Sequence, residues 1–175
     1  MKTVSILTPT YDKRCDFLKF VAKGITMQTY KNILEWVILD GTKTGVSILP
    51  GVIEELRKMK NIPTIVYITQ DVNRNNKVGA LRNILKKEAK GDILIHFDDD
   101  DYYPEDRISH AVSRINETGH QLAGNSDLFM YDVHFGSLYQ FRSFGDNHIL
   151  GGSMAYTKKY AREHDFDESV HHAEE

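Results

Sequence analysis

Four consecutive aspartates, Asp98 to Asp101, follow a short apolar run at residues 93–97. The run has the length and composition of a buried strand in a parallel sheet. Open α/β sheets bind ligands at the carboxyl ends of their strands, where these carboxylates would lie. Close carboxylates repel one another by roughly 3 kcal/mol per pair at an effective dielectric near 20. A divalent cation that prefers oxygen ligands, Mg²⁺ or Mn²⁺, removes this repulsion. The pattern predicts a metal site for a phosphate-bearing substrate, with a merely solvated acidic loop as the alternative.

The overall charge of the chain sets this acidic stretch apart from the rest. The 175 residues include 22 basic and 25 acidic side chains, for a net charge of −3. Six of the acids lie within residues 98–106, so the remainder carries 22 basic against 19 acidic residues. Nucleic-acid-binding proteins show a strongly basic face, and we therefore expect no nucleic-acid partner.

Cysteine content and hydropathy limit the surroundings of the protein. Cys15 is the only cysteine, which excludes an intrachain disulfide and a cysteine-rich zinc site. No stretch approaches the roughly 20 apolar residues that cross a bilayer, and the apolar run at the start is too short for a signal peptide. We expect a cytoplasmic protein without a transmembrane segment.

Apolar runs and amphipathic stretches alternate along the first two thirds of the chain. Strands are predicted at residues 4–7, 34–39, 62–68 and 93–97. Helices are predicted at residues 14–28, 52–59, 77–89, 105–117 and 157–163. The first helix is expected to have Phe17, Phe20, Val21 and Gly24 on one face, and the fourth to bury Ile108, Ala111, Val112 and Ile115. Two aromatic-rich segments around Gly136 predict an antiparallel hairpin. The chain length indicates one domain, residues 1–175, of the α/β class: a mostly parallel sheet flanked by helices, with a C-terminal hairpin.

Five motifs lie in one order over residues 4–108. They are VSILTPTY at 4–11, QTY at 28–30, EWVILDG at 35–41, GALRN at 79–83 and GDILIHFDDDD at 91–101. Together they resemble the family 2 glycosyltransferases, inverting enzymes of the Rossmann-like GT-A fold that use nucleotide-sugars. The resemblance implies that residues 1–108 form the nucleotide-binding half and residues 119–175 the half for sugar and acceptor.

The resemblance also implies which residues bind the nucleotide. They are Thr8, Pro9, Thr10, Tyr11, Asp40, Arg82, Asp98 and Asp99. The Tyr11 ring would stack on the base, unless it is only an aromatic at the rim. Asp40 would accept an imino N–H, which uracil, thymine and guanine offer and cytosine lacks, with uracil as the first choice. The alternative for Asp40 is an aspartate that accepts from the backbone of its own turn before Gly41.

Arg82 falls within the apolar stripe of its predicted helix. A charge on that face requires a partner. The family would place Arg82 against the nucleobase or its phosphates. The alternative is a structural ion pair, for instance with Asp40 or Asp98.

The register of the aspartates decides which of them bind the metal. Alignment with the family's Asp-x-Asp motif makes Asp98 the first acid and Asp100 the second. The first acid usually contacts ribose, and the second binds the metal that bridges the two phosphates. Metal ligation is therefore expected from Asp100 with Asp98. Pro104 lies one residue earlier than is usual in the family, so Asp99 and Asp101 are the alternates.

A general base is needed to take the proton of the acceptor hydroxyl as it attacks the anomeric carbon. Glu174 and Glu175 resemble the family's acidic pair, whose second member is that base. The alternative is a frayed acidic tail. The next candidates are then Asp127, Asp132 and Asp146.

The resulting expectation is an inverting glycosyltransferase that moves a sugar from a UDP-sugar to a carbohydrate or glycan acceptor, with Mn²⁺ or Mg²⁺. A second hypothesis is a non-catalytic GT-A-like module that binds nucleotide but lacks the base and the acceptor site. A third is a sugar-phosphate nucleotidyltransferase. That class normally carries a glycine-rich phosphate loop after the first strand, whereas residues 8–14 contain no glycine.

Overall fold

The computed structural model describes residues 1–11, 14–42, 47, 49–69, 77–143, 145 and 148–169. The strands are β1 (Val4–Thr10), β2 (Ile33–Asp40), β3 (Thr64–Thr69), β4 (Ile93–His96), β5 (Leu122–Ala123), β6 (Leu128–Asp132), β7 (Ser137–Phe141) and β8 (Ala155–Thr157). The helices are α1 (Cys15–Met27), α2 (Leu49–Leu56), α3 (Val78–Glu88), α4 (Arg107–Thr118) and α5 (Lys158–Glu163). A 3₁₀ turn covers Gly151–Ser153.

The central sheet has six strands in the order β3-β2-β1-β4-β8-β5. The four strands predicted from the sequence run parallel to one another, which confirms the mostly parallel sheet. Strand β8 is antiparallel to both β4 and β5. Neither β8 nor β5 was predicted, because segments of three and two residues are too short to show a hydrophobic period.

Both faces of the sheet are covered by helices. Along β2, Trp36 and Ile38 belong to the core shared with α1, α2 and α4, while Val37 and Leu39 belong to the core on the side of α3 and α5. Successive residues of a strand point to opposite faces, so a strand buried on both sides is mostly apolar. This double burial explains why β1, β2 and β4 appear in the sequence as apolar runs with few polar residues.

Strand β1 is longer than predicted, because it continues through residues 8–10 instead of ending at Leu7. The Leu7 carbonyl accepts from Phe97 N at 3.0 Å, so the Pro9 nitrogen, two residues on, points to the same side. Strand β4 has ended by that level, and no ladder partner requires an N–H from Pro9. The proline is therefore compatible with the strand, and residues 8–10 lie at the carboxyl end of β1, at the edge of the sheet where the parallel strands end.

Helix α1 buries Val21, as predicted, but not the two aromatic residues predicted for the same face. Among its described side chains, the buried ones are Leu18, Val21, Ala22 and Ile25, spaced as one helical stripe. Phe17 and Phe20 are about half exposed, and the Phe20 ring centroid lies 6.5 Å from that of Tyr102. In α4 the four residues predicted to point inward are all buried, which confirms that prediction.

Strands β6 and β7 form the predicted antiparallel hairpin as a separate two-stranded sheet. Its turn contains Gly136 at φ +60, and Asp132 Oδ1 accepts from the amides of His134 and Phe135. One face of the hairpin leaves Phe129, Tyr131 and Leu138 exposed. Among the residues that the structure describes, no helix is long and apolar enough to cross a bilayer.

Candidate functional site

The carboxyl ends of β1, β2 and β4 meet at one edge of the sheet. Thr8 Oγ1 donates to the Phe97 carbonyl at 2.7 Å, and Gly41 N donates to the Thr10 carbonyl at 2.7 Å. Thr8 is held in turn by Trp36, whose Nε1 donates to Thr8 Oγ1 at 2.9 Å. The strand order therefore places the segments after β1, after β2 and after β4 side by side, as the sequence predicted.

Asp98, the first of the four aspartates, forms an ion pair with Arg82. Arg82 Nη2 donates to Asp98 Oδ2 at 3.0 Å, and only 5% of the Arg82 side chain is exposed. The Arg82 guanidinium also lies 5.9 Å from the ring centroid of Phe166. The structural ion pair considered for Arg82 is thus present, with Asp98 as its partner. Asp98 Oδ1 is buried and has no hydrogen-bond partner among the described residues.

Asp99 and Asp100 share a second cation, Arg14. Asp99 has a side chain only 3% exposed, and it accepts from Thr10 Oγ1 at 2.7 Å and from Arg14 Nη1. The same Nη1 donates to Asp100 Oδ2 at 2.9 Å, and the Asp100 side chain is 48% exposed. The Arg14 guanidinium lies 5.2 Å from the ring centroid of Tyr11. Burial raises the pKa of Asp99, against the lowering effect of its bonds to Thr10 and Arg14.

Asp101 turns back toward Asp98. Partial desolvation of its carboxylate, followed by the charges of Asp98 and Asp100, raises the pKa of Asp101 to about 6, although the residue as a whole is exposed. Its Oδ2 lies 3.3 Å from the hydroxyl of Tyr103. That hydroxyl accepts from Asp98 N at 2.7 Å and can donate to the Gly152 carbonyl at 3.1 Å. The Tyr103 ring stacks on Phe97 with a centroid distance of 4.1 Å, so Tyr103 holds the acidic turn against the end of β4.

Gly152, in the 3₁₀ turn before β8, leaves room for these carboxylates. A Cβ added to it would lie 2.8 Å from Asp98 Oδ2 and 2.9 Å from Asp101 Oδ2. Two converging carboxylates and one unpartnered buried oxygen fit a divalent cation that takes its other ligands from phosphates and water. Among the described residues no three acidic, histidine or cysteine side chains are grouped as a metal site, so a bound cation would depend on such outside ligands.

Asp40, at the end of β2, is 2% exposed and has both carboxylate oxygens engaged. Oδ1 accepts from Thr42 N at 2.9 Å and from the Thr42 hydroxyl, and Oδ2 accepts from Tyr67 OH at 2.6 Å. Burial alone would raise the pKa of Asp40, but the hydrogen bonds from Thr42, Tyr67 and Ser47 lower it. The backbone contact considered for a turn aspartate is present, and a role in base recognition stays a prediction.

Three residues of this site, Arg14, Tyr67 and Tyr103, were not singled out in the sequence. Tyr67 could have been found from strand register, because it lies two residues before the position opposite Asp40 and so shares its face. Arg14 lies three residues after Tyr11 and is the N-cap residue of α1, but the sequence alone does not reveal which carboxylates it contacts.

The structure describes only two of the five acidic residues considered as the general base, Asp127 and Asp132. Glu174, Glu175 and Asp146 lie outside the described residues. Asp127 Oδ1 accepts from Ser143 N at 2.9 Å, and Asp132 accepts from the amides of the hairpin turn. Both aspartates therefore hold loop backbone.

A cavity of about 500 Å³ lies at the opposite end of the sheet from the acidic turn. It is lined by residues that include Lys2, Asp92 and Lys158. Asp92 immediately precedes β4, so this cavity is separated from Asp98 by the full length of that strand. It takes no part in the site described above.

The mostly parallel sheet, the helices on both faces and the separate hairpin define a GT-A fold. The chain belongs to the family described as glycosyl transferase family 2, whose model matches residues 5–169. A relative described as an uncharacterized glycosyltransferase, from Haemophilus influenzae, is 29% identical over 117 residues, or 65% of this chain and 42% of that protein.

Solved structures show the same fold. S. aureus TarS residues 1–349 in complex with UDP-GlcNAc superposes with a TM-score of 0.74 at 17% identity, covering 98% of this chain and 50% of that one. The mannosyltransferase PcManGT from Pyrobaculum calidifontis, in complex with GDP-Man and Mn²⁺, gives a TM-score of 0.70 at 15% identity, covering 97% of this chain and 48% of that one. The chain thus spans about half the length of these two solved chains and 42% of the Haemophilus influenzae relative.

Proposed function

We propose that this protein transfers a sugar from a nucleotide-sugar, with a UDP-sugar as the first choice, to a hydroxyl of a carbohydrate or glycan acceptor. The observation that carries the proposal is the convergence of the acidic turn after β4 with the ends of β1 and β2. Residues 1–108 would bind the nucleotide, residues 119–175 would contact sugar and acceptor, and the reaction would take place in the cytoplasm.

The nucleotide would lie across the ends of the three strands. Thr8, Pro9 and Thr10 would line the loop that holds it, and Tyr11, 41% exposed, offers a ring for stacking on the base. Asp40 is ionised at neutral pH and can accept an imino N–H. The nucleotides in the two solved relatives, UDP-GlcNAc and GDP-Man, both have a base with such an N–H.

The diphosphate would lie over the acidic turn. Asp98 would contact ribose and share the cation with Asp100, while Asp99 would line the nucleotide pocket from its buried position. Asp101, whose Oδ2 is close to that of Asp98, is the alternate ligand. A bound Mn²⁺ or Mg²⁺ would neutralise the charge that develops on the departing diphosphate. The ion pair with Arg82 restricts the orientation of Asp98 and so supports this assignment.

On the acceptor side, the reaction requires a base on the face of the sugar opposite the diphosphate. The proposal assigns this role to Glu175, with Glu174 beside it. Deprotonation of the hydroxyl as it attacks C1, with departure of the nucleoside diphosphate from the other face, inverts the anomeric centre.

The proposal is tested by thermal unfolding with UDP, GDP and CDP in the presence of Mn²⁺, together with turnover of a panel of UDP-sugars. Stabilisation by UDP and Mn²⁺ with turnover of at least one donor supports a transferase. Stabilisation without turnover on any donor and acceptor pair supports the non-catalytic module instead. Pyrophosphate release from UTP and a sugar phosphate would favour the nucleotidyltransferase. No binding of any of the three nucleotides would contradict the proposal.

Base selection should depend on Asp40. In the wild-type protein UDP or GDP should outcompete CDP, because cytosine has no imino N–H for Asp40 to accept. Asp40→Ala should erase this preference, and Asp40→Asn should keep part of it, since its carbonyl is still an acceptor. Calorimetric titration with the three nucleotides measures the effect. Asp92→Ala, at the opposite end of the sheet, is the matched control; tight CDP binding by the wild-type protein would rule out the contact.

Gly152→Ala should weaken metal-dependent nucleotide binding without unfolding the protein. The new Cβ would meet the oxygens of Asp98 and Asp101 at less than 3 Å, and Asp98 cannot turn away without breaking its pair with Arg82. Mutation of the groups that orient metal ligands typically costs about 10- to 100-fold in metal affinity, and we expect a loss of that order here. Gly51→Ala is the control, because nothing lies within 4 Å of its Cβ; it should leave UDP binding unchanged and stabilise α2 by about 0.5–1 kcal/mol. Equal UDP affinity in both variants would show that Gly152 does not shape the site.

A further inference from the structure

Two arginines pair with three of the four aspartates, Arg82 with Asp98 and Arg14 with Asp99 and Asp100, and they differ in how firmly they are held. Arg82 has a side chain 5% exposed and is packed beside Phe166. Arg14 is 30% exposed, and it meets both Asp99 and Asp100 through a single nitrogen, Nη1. The other guanidinium nitrogens of Arg14 make no contact with these carboxylates. Moving Arg14 out of the site therefore costs less free energy than moving Arg82.

Its two carboxylate partners differ in the same way. Asp99 is 3% exposed and has a second donor in Thr10, so it remains hydrogen-bonded if Arg14 departs. Asp100 is 48% exposed, and Arg14 is its ion-pair partner. The carboxylate predicted to bind the metal thus accepts from the guanidinium of Arg14.

A divalent cation and the guanidinium cannot share Asp100 at low cost. A cation bound about 2.1 Å from a carboxylate oxygen would lie within a few ångströms of an Nη1 that is itself 2.9 Å from Asp100 Oδ2. Like charges at such a distance repel strongly when they are shielded from bulk water. Binding of the metal to Asp100 therefore requires Arg14 to move away.

The displaced guanidinium has a second partner within reach once a nucleotide binds. Arg14 lies over Tyr11, whose ring is the proposed platform for the base, and it stays tethered beside the acidic turn. A guanidinium presents paired donors whose geometry matches two phosphate oxygens. A nucleoside diphosphate that brings in the metal also brings in the anion that can receive Arg14.

We propose that Arg14 exchanges partners during donor binding: it occupies Asp100 in the metal-free protein and moves to the donor diphosphate when the metal takes that carboxylate. The inference rests on the proposed function, because the diphosphate and the metal are those of the sugar donor. It assigns to Arg14 two effects of opposite sign. Arg14 opposes binding of the metal alone and favours binding of the metal together with nucleotide.

The experiment measures two affinities, for Mn²⁺ alone and for UDP at saturating Mn²⁺, by calorimetry on wild type, Arg14→Gln, Arg14→Lys and Lys19→Gln. Lys19, on α1, pairs with Glu55 and controls for the loss of one positive charge. Arg14→Gln should bind Mn²⁺ alone about fivefold more tightly than the wild type, because the metal no longer has to break a partly exposed ion pair. Its affinity for UDP should fall by about tenfold or more, because charge-assisted hydrogen bonds to the diphosphate are lost. Arg14→Lys should keep the Mn²⁺ affinity of the wild type within about threefold, because a cation still competes for Asp100. Lys19→Gln should match the wild type in both titrations.

Each other result overturns the exchange. Weaker Mn²⁺ binding by Arg14→Gln would mean that Arg14 only supports the shape of the acidic turn. Unchanged UDP affinity would mean that the diphosphate does not receive the guanidinium. The unfolding temperature of Arg14→Gln is checked separately, and Arg14→Lys, which keeps the charge but lacks the paired donors of a guanidinium, then tests the diphosphate contact alone through its UDP affinity. If the wild type binds neither Mn²⁺ nor UDP, the proposed function itself fails, whatever the variants do.

Discussion

Glu175→Gln is expected to lower the rate of sugar transfer by about 10²- to 10⁴-fold, the usual contribution of a general base. The substitution keeps the size of the side chain and removes only its ability to take the acceptor proton. UDP affinity in the presence of Mn²⁺ should stay within about threefold, because the base faces the acceptor and not the nucleotide. Steady-state rates with the best donor, combined with calorimetric UDP binding, separate the two quantities.

Glu174→Gln should be milder, unless the register of the pair is shifted by one and the roles exchange. Asp127→Asn is the matched control, since an amide oxygen can still accept from Ser143 N as the carboxylate does, and it should transfer at the wild-type rate. Unchanged rates in both glutamate variants would move the base elsewhere, and a loss in Asp127→Asn would identify Asp127 as the next candidate.

Asp100→Ala is expected to remove most of the dependence of UDP binding on metal. Two acids at a strand end cannot approach a diphosphate without a cation between them, and even outer contacts of a metal site contribute about 10- to 100-fold to affinity. The wild-type protein should therefore bind UDP much more weakly in EDTA than in Mn²⁺, and Asp100→Ala should bind it weakly in both. Calorimetric titrations with and without metal give the comparison.

Asp106→Ala is the control for Asp100→Ala. Asp106 belongs to the same acidic stretch but is exposed at the start of α4, where its side chain makes no capping hydrogen bond. It should retain the full metal effect. If the wild type binds UDP equally well in EDTA and in Mn²⁺, nucleotide binding does not depend on a metal and the prediction is wrong. A larger loss in Asp101→Ala than in Asp100→Ala would shift the ligand pair to Asp98 and Asp101.

The sequence predicted the parts of the fold that depend on long apolar periods. The four parallel strands and the helices between them follow from burial on both faces of the sheet, which leaves a continuous apolar signature in residues such as those of β2. Strand β8 escaped prediction because three residues carry no period. Its position is set by pairing with β4, for example Leu94 opposite Tyr156, which is information about distant partners and not about local sequence.

The sequence predicted which strand ends meet at the site. It did not predict which side chains of the site contact one another. The placement of the aspartates at the end of β4 followed from the apolar run before them. The distribution of their partners did not, because it depends on where the start of α1 places Arg14 and where α3 places Arg82. Arg82 could be suspected from its place in an apolar stripe, whereas Arg14 is the N-cap residue of α1 and precedes the buried stripe of that helix. Asp101 lies beside Asp98 because Tyr103 folds the turn back, a contact that spacing alone does not reveal.

The central position of β1 has a consequence for how the chain is made. Its neighbour β4 lies far along the sequence: Thr8 and Phe97, which are hydrogen-bonded, are 89 residues apart. At 5–20 residues per second a ribosome needs roughly 4–18 s to synthesise that interval. Strands β1, β2 and β3 can pair in the meantime, but the β4 side of β1 stays open, and an open apolar strand edge readily pairs with another chain. A chaperone that covers this edge on the nascent chain would protect the half of the sheet on which the acidic turn is later assembled.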